Sequence, residues 1–122
     1  MARNKRIPLK PWETGNTGGT LSKNDWYGRV CFSLVSHPAF KALSHLEVRV
    51  YLCMILRAGG NVEFTFPKAV YESDYGLSKT SVQKAVKGLQ AAGFIQVSTQ
   101  WQVRQPNIYR FSNEWKKREK PP

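Results

Sequence analysis

Lys79, Thr80, Ser81, Gln83, Lys84 and Lys87 fall within nine consecutive positions and bring ammonium, hydroxyl and amide groups together without a carboxylate. A lysine pairs with phosphate or donates to guanine O6 and N7, a glutamine matches adenine N6 and N7, and a threonine offers a methyl or a hydroxyl. Any one of them alone is ordinary on a solvated helix face, so their arrangement decides. At about 100° per residue, Thr80, Gln83, Lys84 and Lys87 lie roughly opposite Val82, Ala85, Val86 and Leu89. Ser78 is placed to cap the first turn, and Gly93 supplies the left-handed residue that ends many helices. The stretch 78–93 is therefore predicted to be one helix with an apolar inner side and a cationic, amide-bearing outer side, which suits a DNA major groove. Lys79 sits at the edge of the outer sector and is assigned to the DNA backbone. Ser81, with the free N–H groups of the helix start, suits a phosphate. Gly88 departs from the pattern, because a helix-interior glycine costs about 1 kcal/mol relative to alanine.

A second basic set follows. Phe94–Ser98 and Asn107–Phe111 are β-rich runs, and the polar stretch between them, 99–106, reads as the long tip of a hairpin. Gln102, Arg104 and Gln105 in that tip are placed to enter a minor groove. Alternation through Ile95, Val97 and Thr99 puts Trp101 on the core-facing side, and Pro106 limits pairing of the return strand. Nothing comparable points to catalysis. Glu63, Glu72 and Asp74 form no obvious acid/base pair, and His37 and His45 have no marked partner. Ser78-Lys79-Thr80-Ser81 lacks the preceding glycines of a phosphate-binding loop. Cys31 and Cys53 stand 22 positions apart in apolar surroundings, with no C-x-x-C pair and no zinc spacing. They are expected to be buried, reduced thiols. No enzyme activity, cofactor, metal or small-molecule ligand is expected.

The surrounding elements must hold these residues in place. Ser44 and Glu47 fit a capping box, opening a helix that runs to Arg57 or Ala58 and stops at Gly59-Gly60. That helix is apolar nearly all round, so it is either the central core helix or part of a homodimer interface. Val62–Phe66 alternates like a short strand. Pro67–Tyr75 follows as a short helix with Pro67 at its first position and Gly76 as its stop, and Leu77 lies in the turn before Ser78. Two short helices joined by a tight glycine-containing turn make a helix-turn-helix. Upstream, Trp26–Val35 is expected to be extended, and Ser36–Leu43 to hold one or two helical turns from Pro38. Ser112–Trp115 begins a final helix. Residues 1–25 read as a basic flexible arm stiffened at Pro8–Trp12, residues 26–115 as the domain, and 116–122 as a fraying basic tail.

The totals agree with a polyanionic partner. Nineteen Lys and Arg against eight Asp and Glu give a net charge of +11 over 122 residues, while a hydrophobic share of 41% allows a packed core. The charge is also uneven: from Tyr75 to Asn113 there is no acid, while Lys79, Lys84, Lys87, Arg104 and Arg110 all lie there. The longest apolar run, Val50–Leu56, is too short to span a bilayer, and residues 1–10 have no signal-peptide core. A cytoplasmic, nucleoid-associated protein is expected.

Helix, strand, helix, turn, helix, strand, loop, strand is the order of a winged helix. The run from Tyr75-Gly76-Leu77-Ser78 through Leu89-Gln90-Ala91-Ala92-Gly93-Phe94-Ile95 resembles bacterial winged helix-turn-helix DNA-binding proteins. Pro106–Phe111 is similar to the returning wing strand of the phage, plasmid and mobile-element type, and Ser36–Gly60 resembles their first core helix. The resemblance covers about residues 30–115. It implies an α+β, mainly α fold: a three-helix core with a small antiparallel sheet and a wing. It also places DNA contacts on the second helix of the motif, where Lys79, Thr80, Ser81, Gln83, Lys84 and Lys87 are the matching positions. The expected function is sequence-specific binding of double-stranded DNA, most simply by a small transcriptional regulator. Replication initiation of a phage or plasmid type is the alternative within DNA binding. An adaptor for other proteins is the alternative outside it, and would show an apolar patch where this sequence has Lys, Gln and Thr. RNA is less favoured, because no aromatic stacking platform is evident.

Overall fold

Ser44 opens the longest helix by accepting a hydrogen bond from the Glu47 N–H (3.1 Å), while the Glu47 carboxylate accepts from the Ser44 N–H (2.8 Å). The computed structural model describes residues 9–15, 27–100 and 105–117, without the side chains of Gln100 and Gln105. In chain order it holds α1 (Phe32–Val35), α2 (Pro38–Lys41), α3 (His45–Ala58), β1 (Glu63–Thr65), α4 (Lys68–Ser73), α5 (Lys79–Ala91), β2 (Ile95–Gln100) and β3 (Gln105–Phe111). Short 3-10 turns cover Pro11–Glu13 and Glu114–Lys117. The molecule is thus a mixed α+β protein with a small three-stranded antiparallel sheet.

The sheet order is β1-β3-β2, so the strand last in sequence lies in the middle. Glu63 faces Arg110, and Phe64 faces Tyr109. On the other edge Ile95 faces Phe111, and Val97 faces Tyr109. The register then shifts, with Ser98 opposite Ile108 but Gln100 opposite Gln105. The extra residue falls on β3, in the stretch containing Pro106, which has no N–H to give to a ladder. Both strands reach further than the sequence suggests, which narrows the tip from 99–106 to 101–104.

α3 packs against α5 and β1, and α5 against β2. Val50, Met54, Ala85, Leu89 and Phe94 are fully enclosed between them. Two aromatic groups extend this core. Phe64, Phe66, Tyr71 and Tyr109 fill the sheet side, with Phe64 stacked on Tyr109 at 5.5 Å between ring centroids. Phe40, Tyr51 and Trp115 surround Phe94, and Trp115 lies parallel to it at 5.3 Å.

Two expectations need correction here. Phe32–Val35 is a helical turn rather than an extended segment: the Leu34 and Val35 N–H groups donate to the Cys31 carbonyl, and the Ser36 hydroxyl donates to the Phe32 carbonyl. One turn is too short for apolar periodicity to reveal it. Pro67 is the residue before α4, with extended backbone, not its first helical position. On α3, Val50, Tyr51, Met54 and Ala58 face the core, as a core helix requires, while Leu52 and Leu56 reach the surface. Among the described residues, no helix is long and apolar enough to cross a membrane. Trp26, the expected arm apart from residues 9–15, and the end of the tail from 118 onward lie outside the described residues.

Candidate nucleic-acid interface

α5 is fixed at both ends and on one face. The Ser81 N–H donates to the Ser78 hydroxyl oxygen (3.1 Å), and the Ser78 hydroxyl donates to Ser81 Oγ (3.0 Å). Such a cap is worth about 1 kcal/mol. It also gives Ser81 a structural job, and leaves its side chain half-buried. Before α5, Gly76 takes a left-handed φ of 66°, which lets the chain reverse and bring the Leu77 N–H back to the Tyr71 carbonyl at 2.9 Å. Leu77 is buried under this turn. From α3, Arg49 Nη2 donates to the Tyr75 carbonyl (3.0 Å), tying the turn to the core.

Val82, Ala85 and Leu89 are buried and Val86 half-buried, while Lys79, Thr80, Gln83, Lys84 and Lys87 are exposed. The division expected from helical periodicity is the one observed. The ion pairs among the described residues are Lys68–Glu72 (3.9 Å), Arg110–Glu63 (2.9 Å) and Lys117–Glu114 (3.4 Å). None involves Lys79, Lys84 or Lys87, so no described acid neutralises the cationic face of α5. Arg110 differs. It lies in the acid-free stretch of sequence, yet the register of β1 and β3 sets Glu63 directly beside it.

Gly88 has a physical reason. A Cβ there would overlap the Glu47 carboxylate, approaching its Cδ to 2.7 Å. The same carboxylate holds the α3 cap, so α3 and α5 approach closely because position 88 carries no side chain.

Gln102, Arg104 and Trp101 lie outside the described residues, while Gln105 opens β3, paired with Gln100, and is not part of the tip. The strands leading to that tip are described, and between them and α5 runs a cleft of about 400 Å³. Its floor includes the buried Tyr71 and Tyr109 with the half-buried Val86 and Val97. Its exposed rim carries Lys68, Gln83, Lys87, Gln90 and Asn107. Burial pushes the Tyr109 hydroxyl above its usual pKa, and a side-chain hydrogen bond from Asn107 pulls the other way. Lys68, Gln90 and Asn107 were not among the residues expected at the site. Gln90 continues the Gln83–Lys87 spacing and was legible from helical periodicity, whereas Lys68 and Asn107 join the rim only through tertiary packing.

His37 does have partners, contrary to expectation: its Nδ1 accepts the Ala39 N–H (3.1 Å), and its ring meets Trp115 edge-on at 4.9 Å. The Nδ1 contact is a helix cap, made by a side chain not normally counted among the caps. Cys31 is exposed and Cys53 half-buried, and both thiols are free, which corrects the expectation that both are buried. Burial raises the Cys53 pKa, with Arg49 opposing it in part. No group of three His, Cys, Asp or Glu side chains is placed to hold a metal among the described residues. No protein-family model matches the chain, and neither a curated protein nor a solved structure matches it.

Proposed function

We propose that the protein is a winged helix-turn-helix that binds double-stranded DNA with sequence preference, α5 lying in the major groove and the β2–β3 hairpin serving as the wing. The observation that carries this reading is the outer face of α5, where three exposed lysines, without acidic partners among the described residues, stand beside Thr80 and Gln83. At 13 residues α5 is about 20 Å long, and a major groove about 12 Å wide admits such a helix. Lys79 and Lys84 serve the phosphates and Gln83 a base edge. Gln102 and Arg104 extend the contact from the wing. Transcriptional regulation is the role we favour for such a binder, and replication initiation uses the same contacts.

An adaptor would need an apolar outer face on α5. Among the described residues the exposed large apolar side chains lie elsewhere, at Leu52 and Leu56 on α3 and at Trp12, Tyr27, Val30, Phe32, Val35 and Val62. Those on α3 are where a second copy would pack, and sedimentation of the free protein and of its DNA complex decides whether one copy or two is present.

Selection from a random DNA pool at fixed salt should return an ordered motif. Replacing Lys79 and Lys84 by Ala should weaken binding to all sequences and flatten the salt slope by about 0.9 per lost phosphate contact. Gln83→Ala should instead relax preference at one base pair, by about 1–3 kcal/mol. An unchanged salt slope in the double lysine variant, together with no enrichment from the pool, refutes the proposal.

A further inference from the structure

We infer that the face of α3 turned away from α5 docks an acidic, amphipathic segment of another protein, with apolar side chains on Leu52 and Leu56 and carboxylates on Arg49 and Arg29. The inference goes beyond the DNA-binding reading and uses no residue of α5. Helical position defines the face. Glu47 of α3 lies against Gly88 of α5. At about 100° per residue, Leu52, Leu56 and Arg49 stand about 140°, 180° and 160° round the helix from Glu47. All three are exposed, Leu52 at 39% and Leu56 at 36%. The apolar surface continues onto the chain before α1. A Cβ at Gly28 would run into the Ile55 side chain, so the backbone there crosses α3 at the residue next to Leu56. The exposed Tyr27 and Val30 flank that crossing, and Arg29 is exposed between them. Contiguous apolar surface rimmed by charge marks a protein contact.

Charge decides the occupant. Glu47 is the one acid of α3, and it closes the helix cap on the side facing α5. No ion pair among the described residues involves Arg49 or Arg29. Arg49 is also held in place, since its Nη2 donates to the Tyr75 carbonyl at 3.0 Å. A guanidinium has five N–H groups in a planar fork, so one such bond orients it and still leaves donors for a carboxylate. Ordering it on binding therefore costs little. A second copy fits poorly, because a twofold contact sets Arg49 near its own counterpart with no acid on the face, between chains of net charge +11. DNA would satisfy the arginines and leave the leucines without a partner. A helical segment with apolar residues at i, i+3 and i+4 and carboxylates beside them answers both. The face lies across α3 from α5, so the protein can join its DNA site to an acidic protein.

The test selects a random peptide library, displayed on phage, against the full chain at fixed salt. Recovered peptides should combine apolar residues at helical spacing with Asp and Glu. Acidic composition alone decides nothing on so basic a protein. A labelled recovered peptide is therefore titrated against the wild type, Arg49→Gln, Arg29→Gln and the double variant Leu52→Ser/Leu56→Ser. Lys41→Gln on α2 and Lys84→Gln on α5 remove the same charge elsewhere and serve as controls. Affinity should fall about 10-fold for Arg49→Gln and for the leucine variant. It should fall about threefold for Arg29→Gln, which has no described tether, and stay unchanged in both controls. Saturating duplex should leave the wild-type titration as it was. Urea midpoints check that the leucine variant is folded, and Arg49→Gln gives an independent reading if it is not. No enrichment, or a peptide that binds Arg49→Gln and the leucine variant as tightly as the wild type, overturns the inference. A wild-type dimer that Leu52→Ser/Leu56→Ser splits would give the face to a second copy, and displacement of the peptide by duplex would give it to DNA; either overturns it too. The titrations on free protein need no DNA, so a wild type that binds no duplex refutes the DNA-binding reading alone.

Discussion

Glu47 serves two elements with one carboxylate: it closes the capping box of α3 and lies against the bare backbone of Gly88 in α5. Replacing Gly88 by Ala should gain about 1 kcal/mol of helix propensity in isolation. Here the new methyl forces Glu47 aside, and losing its share of the cap costs a comparable amount. Urea denaturation should therefore show no gain for Gly88→Ala alone, but a gain of about 1 kcal/mol when it is made in a Glu47→Ala background. Equal effects in both backgrounds would show that the two residues are not coupled. The glycine stood out in the sequence and its partner did not, because 41 positions separate them and only the crossing of α3 and α5 brings them together. The outward lysines of α5 were legible for the opposite reason: their placement depends on a period of 3.6 within one element. Ser81 shows the limit of that logic, since the pattern gave its position and not its use as part of the cap.

At the scale of elements, the junction of α5 and β2 is the most constrained point. Gly93 has a φ of 89°, and a Cβ there would come within 2.9 Å of the Trp115 nitrogen. The obstacle is backbone, which cannot swing away. The Trp115 N–H also donates to the Gly93 carbonyl (3.2 Å), and the Ser112 N–H to that of Phe94 (2.9 Å). Gly93→Ala should destabilise the fold by about 2 kcal/mol or more, read as a lower urea midpoint with an unchanged slope. A loss below about 0.5 kcal/mol would mean that the junction rearranges freely. Elements with their own punctuation were readable in advance. α3 carries a capping box and a double glycine, and α5 a serine and a glycine, and both were placed within a residue or two. α1 has no such marks, and the lengths of β2 and β3 are set by pairing with each other rather than by composition.

The whole molecule keeps several tyrosines in its interior, and this gives its stability a pH dependence. Tyr51, Tyr71, Tyr75 and Tyr109 all titrate above the ordinary tyrosine value of 10.0, with burial the leading cause in each. Below pH 10 the phenols are protonated whether folded or not, and their contribution is complete. Above it the unfolded chain releases protons first, so stability is lost as pH rises toward and through the folded values. The urea midpoint should hold between pH 8 and 9 and fall steeply beyond 10, with tyrosinate absorbance rising alongside unfolding. Tyr51→Phe should make the fall less steep. A midpoint that is flat to pH 11 would contradict the burial of these rings. The net charge of +11 was readable from composition, but its pairing was not: Glu63 reaches Arg110 only through the sheet.

The contact of His37 with Trp115 carries a different consequence. Tyr27 and Phe111 line one depression, and His37 touches Trp115, so the beginning and the close of the folded unit lie along the same flank. Trp115 also meets the C-terminal end of α5, which puts that flank about 20 Å along the helix axis from Ser78. The unit is therefore built like a plug with both leads at the back. Chain can be lengthened, exchanged or fused on either side of it while the forward half of α5, the end that begins at Ser78, is left clear.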